Sequence, residues 1–230
     1  MRQCKSRAIV VVITAGLAVA GTAQAEPPRL DLVWVDPAGV ARGTYSAVAS
    51  ESRAVLAGLG ADVHWTVASP GAVMGPESLV VIAVPSYPNS GGRERHVMGA
   101  TRKVADGALA VWVFPDQVAW ALGLDLDMRA TWGKGAEASF GRALARVASH
   151  EVVHALGSPV HAHAGLMTAT LDRQALTAPT MRIDGPTIAT VRRIFASGPL
   201  AMSGPRSLPL LREAPIARAA ELAAGRGSSR

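Results

Sequence analysis

Cysteine is almost absent from this chain of 230 residues, whose only cysteine is Cys4. No internal disulfide can form, so the fold must rely on a hydrophobic core, which a chain of this length can build. Aromatic residues make up only 4% of the sequence, and no basic stripe is interleaved with them. Nucleic-acid binding therefore has no support in the composition.

A hydrophobic run long enough to span a membrane comfortably is also lacking. The apolar stretch at residues 8–20 is short, follows a basic start and precedes the small-x-small motif Ala23-Gln24-Ala25. This arrangement predicts a secretory signal peptide over residues 1–25, cleaved before Glu26, and an uncleaved anchor is the alternative. The mature chain is expected to be exported, to a periplasm or outside the cell, without a stable membrane anchor.

A large excess of one charge is lacking once the predicted signal is set aside. The whole chain has 23 basic and 17 acidic residues, a formal charge of +6, and three of the basic residues lie in the signal. Removing those three leaves 20 basic against 17 acidic residues, a charge of +3. The charge balance therefore points to no acidic partner.

The apolar patterning of the mature chain predicts an α/β fold. Alternating or continuous apolar residues indicate four β-strands, and an Ala-rich segment at residues 44–59 indicates a helix after the first of them. The order strand–helix–strand–strand–strand is typical of a helix packed on a twisted mixed sheet. The four predicted strands are residues 30–36, 61–68, 78–84 and 108–114.

Two further helices are predicted towards the C-terminus. Residues 139–156 carry an apolar residue at every fourth position, and Gly157 is placed to end this helix in a left-handed conformation. A second helix is expected to begin near Asp184, which is a favourable N-cap. We therefore expect a single domain over residues 26–198, followed by a poorly ordered tail, residues 199–230, rich in proline, arginine and alanine.

Histidine is scarce except in one place, where four of the six histidines fall between residues 150 and 163. The first of them opens the motif HExxH, formed by His150, Glu151 and His154. On a helix, residues i and i+4 point the same way, so both imidazoles can bind one metal ion. Glu151 would lie beside that ion and could act as a general base. A helix that carries these three residues by chance is the alternative interpretation.

A catalytic zinc ion usually keeps three protein ligands and one open position. A glutamate is an unsuitable third ligand here, because none occurs between Glu151 and Glu213, which lies in the predicted tail. His161 and His163 follow the predicted turn at Gly157. We expect His161 to be the third ligand, with His163 as the alternative.

This stretch resembles the metzincin zinc metalloproteases, whose pattern is HExxHxxGxxH followed by a Met-turn. His150, Glu151, His154 and Gly157 match that pattern position for position. Met167 matches the methionine of the Met-turn, which in the family forms a hydrophobic floor under the metal. The resemblance implies a zincin-like fold with one catalytic Zn²⁺, an active-site helix, a Met-turn and a C-terminal helix, similar to the matrixin-type members.

The sequence departs from the family at the third histidine. The family's spacing places that histidine at Val160, so His161 comes one residue late, which a turn can absorb. Latency through a cysteine switch is excluded because Cys4 lies in the predicted signal. No tyrosine lies beside Met167, so a tyrosine switch of the astacin type is not supported.

The leading hypothesis is an exported, monomeric zinc-dependent endopeptidase that acts on a peptide or protein substrate with Glu151 as general base. The substrate is expected to lie between an edge strand, for which residues 108–114 are the candidate, and the loop after Met167. The alternative is a non-catalytic exported binding module that retains the fold, motivated by the late position of His161. A zinc hydrolase that cleaves non-peptide amides is a third hypothesis.

Overall fold

A computed structural model describes residues 26–68, 72–75, 77–85, 97–103, 109–197 and 206–207. The predicted signal peptide lies outside the described residues, as does all of the predicted tail except Arg206 and Ser207. Across the part of the chain that the structure describes, no helix has the length and apolar character needed to cross a membrane.

The described strands form one large sheet and one small one. Their bounds are β1 (Arg29–Val35), β2 (Asp62–Val67), β3 (Val73–Met74), β4 (Leu79–Ala83), β5 (Gly99–Lys103), β6 (Leu109–Val113) and β7 (Arg206–Ser207). The large sheet has the order β2-β1-β4-β6-β5. Its first four strands run parallel, whereas β5 pairs antiparallel with β6 at the edge. β3 and β7 form a separate antiparallel pair.

Five helices lie in the described part of the chain. Their bounds are α1 (Tyr45–Leu56), α2 (Pro115–Ala121), α3 (Lys134–Ala155), α4 (Arg173–Thr177) and α5 (Gly185–Ala196), with 3₁₀ turns at Ala57–Leu59 and Leu126–Thr131. The combination of a mostly parallel five-stranded sheet with these helices confirms the predicted α/β class.

Both faces of the central strand β4 are buried, which explains why it reads as a continuous apolar run. Leu79 and Val81 of β4 face the larger apolar cluster, to which α1 and α3 contribute most of their buried residues. Val80 and Ile82 face a second cluster on the other side of the sheet. The active-site helix predicted from the sequence is therefore part of the main core.

Two contacts fix α3 against its neighbours. At Gly141, a Cβ atom would lie only 2.7 Å from the Cβ of Ala47, so glycine allows α1 and α3 to approach closely. Arg146 is fully buried, and its guanidinium donates to Glu51 on α1 over 2.8 Å. The same side chain donates to the backbone carbonyls of Ala175 and Ala178, each over 2.7 Å. The α3 segment that leads into the HExxH motif is thus held by α1 on one side and by the α4 segment on the other.

Most of the predicted elements are confirmed, and one placement is wrong. The four predicted strands correspond to β1, β2, β4 and β6, and the three predicted helices to α1, α3 and α5, although α3 begins at Lys134. Asp184 caps α5 as expected, because its side chain accepts from the amide of Thr187 over 2.9 Å. Residues 108–114, however, do not form the edge, since β6 lies between β4 and β5. The strand at the edge beside β6 is β5. Its sequence, GATRK, has no apolar alternation, and this strand was not predicted.

Candidate metal centre

His150 and His154 lie one turn apart near the C-terminal end of α3, and their rings converge. The Nε2 atoms of the two rings are 3.0 Å apart. The rings meet edge to face, with centroids 4.7 Å apart. His150 is buried and His154 is half-buried. This convergence follows directly from the i, i+4 spacing on a helix.

His161 returns to the helix after a sharp turn. Gly157 ends α3 with φ +98°, as the sequence predicted, and the following residues reverse the direction of the chain. The Nε2 atom of His161 lies 3.2 Å from that of His154, and all three ligand atoms of the group lie within 4.8 Å of one another. His163 is exposed and does not belong to this group. The extra residue at Val160 is therefore absorbed in the turn.

Backbone carbonyls determine the protonation of the two helical histidines. Nδ1 of His150 lies 2.7 Å from the carbonyl oxygen of Leu166, and Nδ1 of His154 lies 2.6 Å from that of Ser158. Because a carbonyl can only accept, each Nδ1 must carry the proton and donate it. In the neutral ring, Nε2 then has a free lone pair, and Nε2 is the atom that a metal can bind.

The group fits a metal ion. With Nδ1 protonated in both neutral helical rings, the Nε2 lone pairs of His150 and His154 face each other over 3.0 Å, and a cation between them would remove that repulsion. Ligands at about 2.0–2.1 Å from a tetrahedral zinc ion lie about 3.3 Å from each other. Burial lowers the pKa of His150 to about 4, with His154 and His161 adding to the effect, so its ring is neutral near pH 7 and able to bind. The three histidines could therefore hold a metal ion.

The loop that carries His161 is tied to the Met-turn candidate. Met167 is fully buried, and its carbonyl accepts from the amide of Ala162 over 2.7 Å. The amide of Leu166 donates in turn to the carbonyl of Arg182 over 2.8 Å. At Gly165, with φ +81°, an added Cβ atom would lie 2.5 Å from that same carbonyl oxygen. Only glycine fits this position.

Glu151 is buried beside the histidines and contacts the edge strand. The hydroxyl of Thr101 lies 3.0 Å from Glu151 Oε2 and 2.8 Å from the backbone oxygen of Glu151. Burial raises the pKa of this carboxyl group to about 7, although the hydrogen bonds from Thr101 act in the opposite direction. A carboxyl group with such a pKa can accept and release a proton near neutral pH.

The histidines and Glu151 line a cleft of about 440 Å³. One wall is formed by the start of β5 and the residues just before it, Val97 to Thr101, and the other by Thr168 to Leu171. A smaller recess of about 210 Å³ adjoins the cleft and shares Met98 and Leu171 with it, and Trp120 of α2 also lines it. The expected cleft between an edge strand and the loop after Met167 is therefore present, with β5 as its strand.

Among the described residues, His64 also lies outside this group. His64 lies on β2 and pairs with Asp62 over 2.7 Å, at the opposite edge of the sheet. His96 lies outside the described residues. Sequence reasoning missed Gly99 and Thr101, which contact Glu151, because they lie in the short polar segment that forms β5.

Comparison with known proteins identified no family for this chain. No family model matches the chain, and no curated protein sequence is significantly similar to it.

Proposed function

We propose that the chain is an exported zinc-dependent endopeptidase of the metzincin type. The observation that carries the proposal is the convergence of three imidazole Nε2 atoms within 4.8 Å, in a cleft that also contains the buried carboxyl group of Glu151. Zinc is the proposed metal because three neutral imidazoles with an open position are a typical catalytic zinc site.

His150, His154 and His161 would hold the ion, and Glu151 would transfer the proton. A zinc ion in such a site lowers the pKa of water and polarises a carbonyl group. Since the carboxyl group of Glu151 has a pKa of about 7, it can take a proton from water and give it to the departing amine. The bonds from Nδ1 of His150 and His154 to backbone carbonyls keep both rings oriented towards the ion.

The substrate would lie along β5. Pairing with β6 uses one side of this strand, and an extended peptide can add to the other side through main-chain hydrogen bonds. Gly99 and Thr101 of β5 line the cleft directly. The adjoining recess, with Met98, Trp120 and Leu171 in its wall, would accept an apolar side chain close to the cut.

A zincin-like fold and export complete the proposal. The fold is supported by the antiparallel edge strand over the active-site helix, the turn at Met167 and the C-terminal helix α5. Export is supported by the sequence pattern of residues 1–25 alone.

The first test is zinc content of the purified mature chain by elemental analysis, together with the variants His161→Ala and His163→Ala. We expect about one zinc ion per chain, lost in His161→Ala and kept in His163→Ala, since only His161 belongs to the histidine group. A wild-type chain that binds no zinc, or a site abolished by His163→Ala, would contradict the proposed centre.

The second test separates a protease from a binding module. Glu151→Gln should retain zinc and lose hydrolysis of an unfolded protein substrate, because the amide cannot act as a base. A zinc-loaded wild type that cleaves neither proteins nor peptides would favour the non-catalytic alternative. Cleavage confined to non-peptide amides would instead indicate a different zinc hydrolase.

A further inference from the structure

The edge strand β5 and the glutamate of the site are in direct contact. Thr101 Oγ lies 3.0 Å from Glu151 Oε2, which is a hydrogen bond in which the hydroxyl donates to the carboxylate. The same hydroxyl lies 2.8 Å from the backbone oxygen of Glu151. Thr101 therefore touches the glutamate at both its side chain and its main chain.

Gly99 makes this contact possible. Residues 99 and 101 share one face of the strand because side chains alternate along a strand. A Cβ atom at Gly99 would lie 2.7 Å from Glu151 Cγ, 2.8 Å from Val147 Cγ1 and 3.1 Å from Glu151 Oε1. One face of β5 thus offers the glutamate an open space at Gly99 and a hydroxyl group at Thr101.

We propose that Thr101 is a positioning residue that holds Oε2 of Glu151 and leaves Oε1 as the oxygen that carries the proton. This inference rests on the proposed endopeptidase function. The single proton of the Thr101 hydroxyl is shared between Oε2, at 3.0 Å, and the backbone oxygen of Glu151, at 2.8 Å. While Oε2 accepts from this proton, that oxygen is the poorer site for a second proton. The backbone of Thr101 also hydrogen-bonds this carboxyl group, and that bond is kept in Thr101→Val. The hydroxyl is the second donor, and without it the carboxyl group would be freer to turn within the cleft.

The proton balance involves Glu151 alone. An O–H bond of the attacking water breaks as the Oε1–H bond forms. The water oxygen bonds to the scissile carbonyl carbon while the C=O π pair moves onto the carbonyl oxygen, and this pair re-forms the C=O bond when the C–N bond breaks. The Oε1–H bond then breaks as the proton moves to the leaving nitrogen and the C–N bond breaks. Thr101 keeps its own proton throughout, so its effect on the reaction is one of orientation.

The test compares Thr101→Val, which keeps the shape and removes the hydroxyl, with Thr101→Ser, which keeps the hydroxyl. Thr66→Val is the matched control, because Thr66 is an exposed threonine on β2 at the other edge of the sheet. In the zinc-loaded protein we expect Thr101→Val to lower kcat about 10- to 100-fold through misorientation of the base. KM and zinc content should stay at wild-type levels, Thr101→Ser should restore most of kcat, and Thr66→Val should leave kcat unchanged.

A kcat for Thr101→Val equal to that of the wild type would overturn the inference. So would an equal loss in Thr101→Ser and Thr101→Val, because that result would indicate packing rather than the hydroxyl. Crystal structures of the zinc-loaded variants give a readout that needs no activity. The Glu151 carboxylate should have one orientation in the wild type and in Thr101→Ser, and more than one in Thr101→Val.

These two arms separate the failure of the inference from the failure of the proposed function. If the wild type cleaves nothing, the endopeptidase proposal fails, and the crystal structures alone decide whether Thr101 orients Glu151. A carboxylate unchanged in Thr101→Val would overturn the positioning role in that case as well.

Discussion

The histidine group has a helical half and a loop half, and different forces hold the two in place. His150 and His154 lie on α3, most of whose second half is buried against the sheet and α1. The loop half, residues 158–171, is held by main-chain hydrogen bonds, by Gly165 with its positive φ, and by a few buried side chains at irregular spacing, Leu166, Met167 and Leu171. Side-chain packing leaves a periodic pattern in the sequence, whereas main-chain hydrogen bonding leaves almost none.

Hydrogen bonds nevertheless connect the two halves at the candidate metal ligands His150 and His154. The helical ligand His150 donates to the carbonyl of Leu166 in the loop, and His154 donates to that of Ser158. The orientation of each helical imidazole therefore depends on the loop. Partners of this kind typically affect metal affinity almost as strongly as the ligands.

The largest effect is expected at Arg146 of α3, whose side chain also binds the α4 segment that follows the loop. Arg146→Leu removes the partner of Glu51 and of two backbone carbonyls, and it should lower the free energy of unfolding by about 3 kcal/mol. Urea denaturation measures this change. Arg142→Leu is the control, because Arg142 is more exposed and lies 3.9 Å from Glu51. An equal loss in the two variants would show that the burial of Arg146 is irrelevant.

The next effect concerns the helical half alone. The pKa of Glu151 is about 7 in the folded chain against 4.5 as a free side chain, so the folded state binds more protons than the unfolded state between these values. Its contribution to stability therefore falls as the pH rises from 4.5 to 7. Zinc-free Glu151→Gln should exceed the wild type in unfolding free energy above pH 7, by up to about 3 kcal/mol.

Denaturation curves of both zinc-free proteins at several pH values provide the measurement. The difference between them should shrink towards pH 4.5, while the contribution of His150 cancels because both proteins contain it. A difference independent of pH would contradict the raised pKa of Glu151.

A smaller effect is expected from the loop half. Gly165→Ala forces a Cβ atom to within 2.5 Å of the Arg182 carbonyl and should displace the neighbouring Leu166, whose carbonyl orients His150. Zinc affinity should fall about 10- to 100-fold, as a competition titration with a chelator would measure. Gly135→Ala is the control, because Gly135 lies in the first turn of α3 with open space around it. Retention of full affinity in Gly165→Ala would mean that the loop adapts without moving the ligands.

The smallest effect is expected at the extra residue of the loop. Val160 is 69% exposed, so Val160→Ser removes no buried contact. Zinc affinity should change by no more than about twofold, measured in the same titration. A larger loss would show that the side chain at this position supports His161.

The packed elements could be predicted from the sequence because burial imposes a period on apolar residues, or a continuous apolar run where both faces of a strand are covered. The strands β1, β2, β4 and β6 and the helix α3 follow this rule. The strand β5 does not, since Gly99 and Thr101, which share one of its faces, contact Glu151. The helix α2 was missed because it is short and its apolar residues show no clear period.

The candidate site was also predictable only in part. His150, Glu151 and His154 could be placed together from helical spacing alone. The choice between His161 and His163 could not be made from helical spacing, because both follow the same turn. Only the path of the loop brings His161 back to the two helical histidines. That path depends on the hydrogen bond between Ala162 and Met167, for which the sequence carries no separate signal.

The carbonyl partners of the histidines also link metal supply to the lifetime of the protein. An ion held by His150, His154 and His161 would close a ring of contacts from α3 through residues 158–166 and back. Without the ion, that loop keeps the imidazole hydrogen bonds, the bond from the Ser158 amide to the Val153 carbonyl and the packing of Leu166, and we expect the turn at His161 to open more often. If the chain is exported as proposed, copies that reach a metal-poor compartment would present an accessible loop to proteases and be degraded first, so that the compartment would retain mainly the metal-loaded molecules.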